Sequence, residues 1–221
     1  MLPDMNAPNT LTDEETNAGF RLLFDGKTTA GWRGFRATTI DPKWRVTDGA
    51  LMFHPDPEPQ YGHDIVSEEE FSSFELRLEW KLWERGNSGL MYHVVEEAAE
   101  RPFETGPEMQ LLDDANHPDA RNGPDRHAGA CYGLYAPTDA VLQPLGEWNA
   151  VTLLVDGNHV EHHLNGRQVV TYNLGSPDWN ARVAASKFAQ WPRFARKRRG
   201  RICLQDHLDP VAFRNIRIRA W

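Results

Sequence analysis

Apolar and charged residues alternate along the segment from Phe74 to Leu82, where every second residue is Phe, Leu or Trp. Successive side chains of a β-strand point to opposite faces, so this pattern gives one apolar face and one charged face. The segment therefore predicts an antiparallel strand with one face in the core and the other in water.

A second region, residues 148–174, predicts three consecutive strands. The dipeptides Asp156-Gly157 and Asn165-Gly166 interrupt it, and both tolerate the positive φ angles of tight hairpins. A short helix is predicted near Trp179–Lys187. Other short apolar segments between turn residues predict further strands, at residues 22–26, 44–54, 88–95, 107–113, 200–207 and 213–221. Many short strands and few helices predict an all-β fold, an antiparallel sandwich of the jelly-roll type.

Residues 19–221 are interpreted as one domain, because no repeat or linker divides them and 221 residues suit a single all-β domain. Residues 1–18 are polar and acidic, and they predict a loose N-terminal arm. They lack the apolar run of a signal peptide, and no stretch elsewhere is apolar enough to span a membrane. As it stands the sequence predicts a cytoplasmic protein, or a periplasmic or secreted one if a signal has been removed. It indicates no oligomeric state.

The formal net charge of −8 gives no general attraction to nucleic acid or to an anionic membrane. A basic run between Arg193 and Arg201 departs from this balance, but without interleaved aromatic residues for base stacking it is interpreted as a solvated loop. Cys131 and Cys203 form no CxxC motif, and their pairing is left open.

Several blocks of the sequence occur in the order typical of one known family. Besides the alternating strand with Asn87-Ser88-Gly89 after it, they lie at residues 19–35, 102–114, 133–137, 146–166, 186–194 and 200–218. Through them the chain resembles the 3-keto-disaccharide hydrolase family over about residues 19–221. The resemblance implies a concanavalin A-like jelly-roll sandwich and a hydrolase that cleaves the glycosidic bond of 3-keto-glycosides. His163 stands where the family pattern has Trp, so details of substrate recognition do not transfer.

The implied chemistry has three requirements. A 3-keto group acidifies the hydrogen on C2 of the sugar, so the bond at C1 can break by elimination, after which water adds. The site then needs a base near C2, a proton donor or electrophile at the leaving oxygen, and a group that stabilises the enolate. A conventional retaining glycosidase needs two carboxylates across the bond. The E-x-D-x-E strand signature of jelly-roll glucanases is replaced here by Glu108-Met109-Gln110.

Glu108 is the leading candidate for the base. In the predicted strand at 107–113, Glu108 and Gln110 share one face while Met109 and Leu111 share the other. If the apolar pair packs between the sheets, Glu108 and Gln110 point toward an open concave surface, where Gln110 is a candidate for substrate binding. A solvated polar face explains the same pattern, and the two interpretations stay open.

His207 is the candidate for the acid or electrophile, because it ends a strand beside Asp206 and Asp209, and a carboxylate there would orient its ring and raise its pKa. Gln205 shares its strand face and is a substrate-binding candidate. Lys187 is a candidate for polarising the keto oxygen, although a lone lysine is usually solvated.

Four more residues are candidates for substrate binding. Asn87 and Ser88 precede a strand and offer hydroxyl-binding groups, although both are also common in turns. Tyr135 offers a ring for stacking or a hydrogen-bonding hydroxyl, and core packing competes equally. His162 is either a buried, hydrogen-bonded histidine or a site residue at the rim of the sheet.

No cofactor is evident in the sequence, and a divalent metal stays open. His159, Glu161 and His163 share a strand face and suit a divalent ion, but the HExxH spacing is absent and an exposed hairpin strand explains the pattern more simply. The expected partner is a small carbohydrate substrate. The rival hypothesis is a non-catalytic, lectin-like carbohydrate-binding module, since the same sandwich is a lectin architecture.

Overall fold

The alternating segment Phe74–Leu82 forms a nine-residue strand whose apolar face is buried and whose charged face is mostly part-exposed, as the pattern predicts. It lies inside one of two antiparallel sheets that pack face to face. The structure is a computed structural model and describes residues 7–57, 62–97 and 99–221.

The strands of the described residues are numbered in chain order. They are β1 Arg21–Leu22, β2 Trp32–Gly34, β3 Trp44–Thr47, β4 Ala50–Phe53, β5 Ile65–Phe71, β6 Phe74–Leu82, β7 Asn87–Val94, β8 Glu108–Leu112, β9 Asn149–Asp156, β10 His159–Leu164, β11 Arg167–Asn173, β12 Gly200–Leu204 and β13 Val211–Ala220. The helices are α1 Asp13–Asn17 and α2 Pro177–Ala185, with 3-10 turns at Pro102–Glu104, Pro118–Asn122, Pro124–Arg126 and Lys187–Gln190.

An eight-stranded sheet has the order β11-β10-β9-β6-β13-β4-β3, with β1 also paired to β13, and a five-stranded sheet has the order β2-β5-β12-β7-β8. Every strand pair is antiparallel among the described residues. The predicted antiparallel jelly-roll sandwich is therefore confirmed. The predicted hairpins are confirmed at β9–β10–β11, where Asn165 (φ 49°) and Gly166 (φ 80°) both take the left-handed conformation of a tight turn.

Residues 7–18 do not form the loose arm that their polar composition predicts. Thr12 and Glu15 cap helix α1 reciprocally, and the buried Glu15 carboxylate lies 2.6 Å from Nε of Arg217 on β13. Asn9 accepts a hydrogen bond from the backbone N–H of Asn215 (2.8 Å). Through these contacts the polar residues hold the segment against the eight-stranded sheet. Residues 1–6 of the predicted arm lie outside the described residues.

The five-stranded sheet presents two different faces. Its inner face supplies Leu90, Met109 and Leu111 to the core between the sheets. On its outer face a small apolar cluster of Val66, Met91, Val94 and Cys203 occupies one part, and polar residues at the start of β7, on β8 and after β12 occupy the rest. None of the helices in the described residues is long and apolar enough to cross a membrane.

Candidate active site

A cavity of about 290 Å³ opens on the outer face of the five-stranded sheet. Its walls come from the start of β7, from β8, from the segments that precede β5 and follow β12, and from the 3-10 turn after α2. The lining residues are Gly62, Asp64, Asn87, Arg101, Phe103, Glu108, Gln110, Tyr132, Lys187, Gln205, Asp206 and His207. Of the candidates from the sequence, Glu108, His207, Lys187, Asn87, Gln110 and Gln205 therefore meet in one pocket.

Glu108 is seated over Gly89 of the neighbouring strand β7. A Cβ atom built at Gly89 would overlap the Glu108 carboxylate, so the absence of a side chain at Gly89 makes room for the acid. The backbone carbonyl of Glu108 accepts a hydrogen bond from the N–H of Tyr132 (2.9 Å), which ties the following loop to the edge of β8. The phase predicted for β8 is correct, since Met109 and Leu111 pack in the core.

The environment of Glu108 differs from the open, solvated face expected of it, because only 7% of the residue is exposed. Burial raises the pKa of Glu108 to about 7, although the positive charges of Lys187 and His207 act in the opposite direction. A carboxyl group with a pKa near neutrality can accept a proton and return it at physiological pH.

Lys187 begins the 3-10 turn Lys187–Gln190, whose first turn is capped by the Ser186 hydroxyl. Its ammonium nitrogen lies 4.4 Å from the centroid of the Tyr132 ring. Burial lowers the pKa of Lys187, while the charge of Glu108 counteracts that shift. The Tyr132 hydroxyl donates to Asp119 (2.9 Å), which fixes the ring beneath the lysine. The pocket thus holds a partly desolvated cation near the Glu108 carboxylate.

His207 follows β12, and its Nδ1 lies 3.8 Å from a carboxylate oxygen of Asp209. Burial alone would lower the pKa of His207, but the contact with Asp209 and the charges of Glu108 and Asp209 outweigh it, so the pKa is raised. His207 is therefore positioned to carry a positive charge close to the base candidate. The expectation that a neighbouring carboxylate raises its pKa is met by Asp209.

Two amide side chains present unpartnered oxygens in the pocket. Asn87 Oδ1 and Gln205 Oε1 are buried and have no hydrogen-bond partner among the described residues. Gln110 Oε1 accepts from the backbone N–H of Leu111 (3.2 Å). Buried polar atoms in folded proteins are nearly always satisfied, so these oxygens indicate a polar ligand or ordered water in the cavity.

Three substrate-binding candidates lie outside the pocket. Ser88 follows Asn87 on β7 and so points to the opposite face of the strand. Its hydroxyl donates to the backbone carbonyl of Gln205 (2.8 Å). Tyr135 stacks on Tyr172 with ring centroids 5.0 Å apart, because the loop that carries it packs against α2. His162 is fully buried between the Gly129 carbonyl (2.9 Å) and the Tyr172 hydroxyl (3.0 Å). In the structure these three side chains pack and form hydrogen bonds within the protein and do not line this pocket.

Sequence reasoning did not select Asp64, Arg101, Phe103 or Tyr132, and it treated Asp206 only as a neighbour of His207. Asp64 precedes β5, so only the fold brings it to Asp206, whose backbone N–H donates to its Oδ1 (3.0 Å). The one signal in the sequence was the polar run Gln205-Asp206-His207 directly after β12, which pointed to Asp206 as well as to His207.

One group of side chains has the composition of a metal site. The potential ligand atoms of His117, His207 and Asp209 lie within 4.8 Å of one another at the rim of the pocket. However, Nδ1 of His117 accepts a hydrogen bond from the backbone N–H of Asp119 (3.1 Å), which places the proton of the neutral ring on Nε2. A metal bound at Nε2 needs Nε2 unprotonated, so the arrangement of His117 does not fit metal ligation.

The other candidate groups from the sequence form hydrogen bonds within the protein or are buried in it. Glu161 accepts hydrogen bonds from His159 (2.9 Å) and His163 (2.8 Å) on a part-exposed face of β10. In the basic run, Nε of Arg201 donates to Glu96 (3.0 Å) and that of Arg198 to Asn158 (2.6 Å). Cys131 and Cys203 are buried and unpaired with each other.

The fold and the pocket together define a jelly-roll sandwich with a cavity lined by carboxyl, cationic and amide side chains on the outer face of one sheet. The chain belongs to the family of the 3-keto-alpha-glucoside-1,2-lyase-like domain, whose family model matches residues 19–219. The resemblance seen in the sequence blocks is thereby confirmed.

Two kinds of relatives support this assignment. A 3-keto-disaccharide hydrolase of Bacteroides thetaiotaomicron is 34% identical over 226 residues, covering 91% of this chain and 78% of that protein. A predicted glycosyl hydrolase of Parabacteroides distasonis, known as a crystal structure, is 35% identical with a TM-score of 0.90 over 97% of this chain and 100% of its own. A second predicted glycosyl hydrolase structure from that organism is 28% identical, with a TM-score of 0.63 over 86% of this chain and 99% of its own.

Proposed function

We propose that this protein is a carbohydrate-active hydrolase that cleaves the glycosidic bond of 3-keto-glycosides by elimination followed by hydration. The observation that carries the proposal is Glu108, a buried carboxyl with a pKa of about 7 in a pocket that also holds Lys187 and His207. Family membership and the relative named 3-keto-disaccharide hydrolase support the substrate class.

In the first step Glu108 takes the proton from C2 of the keto-sugar. The electrons of the C2–H bond move into the keto group and form an enolate whose negative charge rests on the oxygen at C3. A buried carboxylate is a stronger base than a solvated one, and a pKa near the working pH suits a group that must also give the proton back.

Lys187 and the protonated His207 are assigned to the enolate oxygen. Both line the pocket together with Glu108 and both act on it by charge, so they can offset negative charge that develops on the sugar. Cations fixed in a site of low polarity stabilise such charge more than the same cations do in water. The amides of Asn87, Gln110 and Gln205 are left to hold the sugar hydroxyls.

In the second half of the reaction the enolate re-forms the keto group and expels the aglycone from C1, which leaves a double bond between C1 and C2. The aglycone oxygen takes a proton from the site as it leaves. Water then adds as hydroxide to C1 and gives its other proton to the site, which replaces the one that the aglycone took, and Glu108 returns its proton to C2. The sum of the two steps is hydrolysis, with the base regenerated.

A kinetic isotope effect tests this order of events. We expect the protein to convert 3-keto-trehalose to 3-keto-glucose, and to do so several-fold more slowly when C2 carries deuterium. The same substrate with deuterium at C1 serves as the control and should show only a small effect. Cleavage without a C2 isotope effect, together with failure to hydrate added 2-hydroxy-3-keto-glucal, would rule out elimination; binding of sugars without any turnover would establish the lectin-like alternative.

A further inference from the structure

Two aspartates line the pocket together and contact each other. The backbone N–H of Asp206 donates to Asp64 Oδ1 (3.0 Å), and the backbone N–H of His63 donates to Asp206 Oδ2 (3.1 Å). Their carboxyl groups also influence each other's pKa. Asp64 is 8% exposed and Asp206 is 2% exposed.

Two buried carboxyls in one pocket favour a state in which they hold one proton between them. Ionised carboxylates are acceptors only and repel each other, so a proton on one of them removes the repulsion. Burial raises the pKa of both groups. The charge of Asp64 and its contact raise the pKa of Asp206 further, to about 8, whereas the contacts with Asp206 lower the pKa of Asp64. Asp206 is therefore the member that holds the proton, as in other pairs of carboxyls that share one. The pair thus forms a neutral-pH acid within the pocket.

The cations around the pair favour loss of that proton, and burial opposes them. Arg101 acts on both aspartates and His207 acts on Asp64, and both favour ionisation. Lys43 also acts on Asp206 by charge. The negative charge of Glu108 opposes ionisation of Asp64. Desolvation is the largest influence on both carboxyls and favours the protonated form.

We propose that the Asp64–Asp206 pair is the acid that protonates the departing glycosidic oxygen. The inference rests on the proposed function, in which Glu108 acts at C2 and Lys187 and His207 act at the oxygen on C3, so that the proton at the aglycone oxygen still needs a source. Asp64 and Asp206 are the carboxyl groups of the pocket that this scheme leaves without a role, among the described residues. They are also held to the same cavity by two backbone N–H groups.

The step balances as follows. When the C1–O bond breaks, its electron pair stays with the aglycone oxygen, and the proton of the pair moves to that oxygen, which leaves as an alcohol. The pair then carries one more negative charge. In the hydration step it takes a proton from the attacking water as the water oxygen bonds to C1, and the shared proton is restored.

Leaving groups that differ in basicity separate this role from a structural one. A 4-nitrophenolate departs without protonation, whereas the alkoxide of a methyl glycoside needs a proton. We therefore expect Asp206→Asn to slow cleavage of methyl 3-keto-glucoside by about 10²–10⁴-fold, the usual loss for a general acid, and cleavage of 4-nitrophenyl 3-keto-glucoside by less than about 10-fold. In this variant the introduced amide donates to Asp64, which stays ionised and has no proton to give.

The same measurements on Asp64→Asn should give the same selectivity, and Asp178→Asn, an exposed aspartate outside the pocket, should leave both rates unchanged. Equal losses on both substrates, or no loss on either, would overturn the inference while the proposed function stands. A wild-type protein that cleaves neither substrate overturns both.

A second measurement covers the case in which a variant is poorly folded. In the Glu108→Gln background, the infrared carbonyl band of a protonated carboxylic acid should be present at pH 7 and should disappear when Asp206→Asn is added. Persistence of that band in the double variant, with its fold verified by circular dichroism, contradicts a proton held by the pair.

Discussion

Strands β8 and β10 each place a glutamate and other polar groups on one face by the same period-two alternation, yet the two glutamates end in opposite states. Glu161 on β10 accepts hydrogen bonds from His159 and His163, and these hold its pKa below the usual range. Glu108 on β8 is buried, and burial raises its pKa to about 7.

The difference comes from what covers each strand. The face of β10 that carries Glu161 is only partly buried, so its carboxylate keeps water and gains two imidazole donors. The face of β8 is covered by Tyr132 from the next loop, by Lys187 from the turn after α2 and by His207 after β12. A strand pattern therefore sets which way a carboxyl points, and segments distant in sequence set whether it becomes a base.

The largest expected effect is on turnover. Glu108→Gln removes the basic group with little change in volume, and we expect cleavage of 3-keto-trehalose to fall by about 10²–10⁴-fold. Glu161→Gln is the matched control and should keep wild-type turnover, because Glu161 lies outside the pocket. Steady-state rates of 3-keto-glucose release measure both. Comparable rates for wild type and Glu108→Gln would show that the base lies elsewhere.

The comparison also explains which parts of the site the sequence could predict. The side-chain phase of β8 follows from Met109 and Leu111, which must face the core, so Glu108 and Gln110 had to share the other face. The same rule does not explain Gln205 and His207, because β12 ends at Leu204 and Asp206 between them lines the pocket as well. Alternation is a local property, and it transfers from sequence to structure only where the strand forms.

The features that could not be predicted from the sequence depend on contacts between residues far apart in the chain. Asp64 and Asp206 are 142 positions apart, and no local pattern at Asp64 indicates that the two meet. Tyr135 and His162 look like site residues in sequence, but the loop before β9 and helix α2 draw both into an aromatic and hydrogen-bonded layer around Tyr172. Residues 7–18 have the composition of a solvated arm, and no local signal shows that their polar groups pair with β13 and with the β3–β4 turn.

A smaller effect on turnover is expected from a substitution at Gly89, next to the Glu108 carboxylate. Gly89→Ala places a methyl group where the Glu108 carboxylate lies, and the flexible side chain, not the backbone, must move. We expect turnover to fall by about 10²-fold, because misplacing a catalytic group by about 1 Å costs that much, while the melting temperature changes little. In the Glu108→Gln background the same substitution should have almost no further effect on turnover. Additive losses in the double variant contradict a role for Gly89 in seating Glu108.

The smallest effect is on stability, and it has opposite signs at the two glutamates. The pKa of Glu108 rises from 4.5 in the unfolded chain to about 7 in the fold, so the folded state binds a proton that the unfolded state releases between these values. Stability from this group is present below pH 4.5 and is lost as the pH rises through 7. Between pH 5 and pH 8 the free energy of unfolding of Glu108→Gln should therefore rise by about 1–3 kcal/mol relative to that of wild type.

The pKa of Glu161 is lowered, so its ionised form stabilises the fold. The free energy of unfolding of Glu161→Gln should therefore be lower than that of wild type by less than about 1 kcal/mol at pH 8. Urea unfolding at the two pH values measures both changes, and a Glu108→Gln variant that is less stable than wild type at pH 8 would contradict the raised pKa on which its role as base depends.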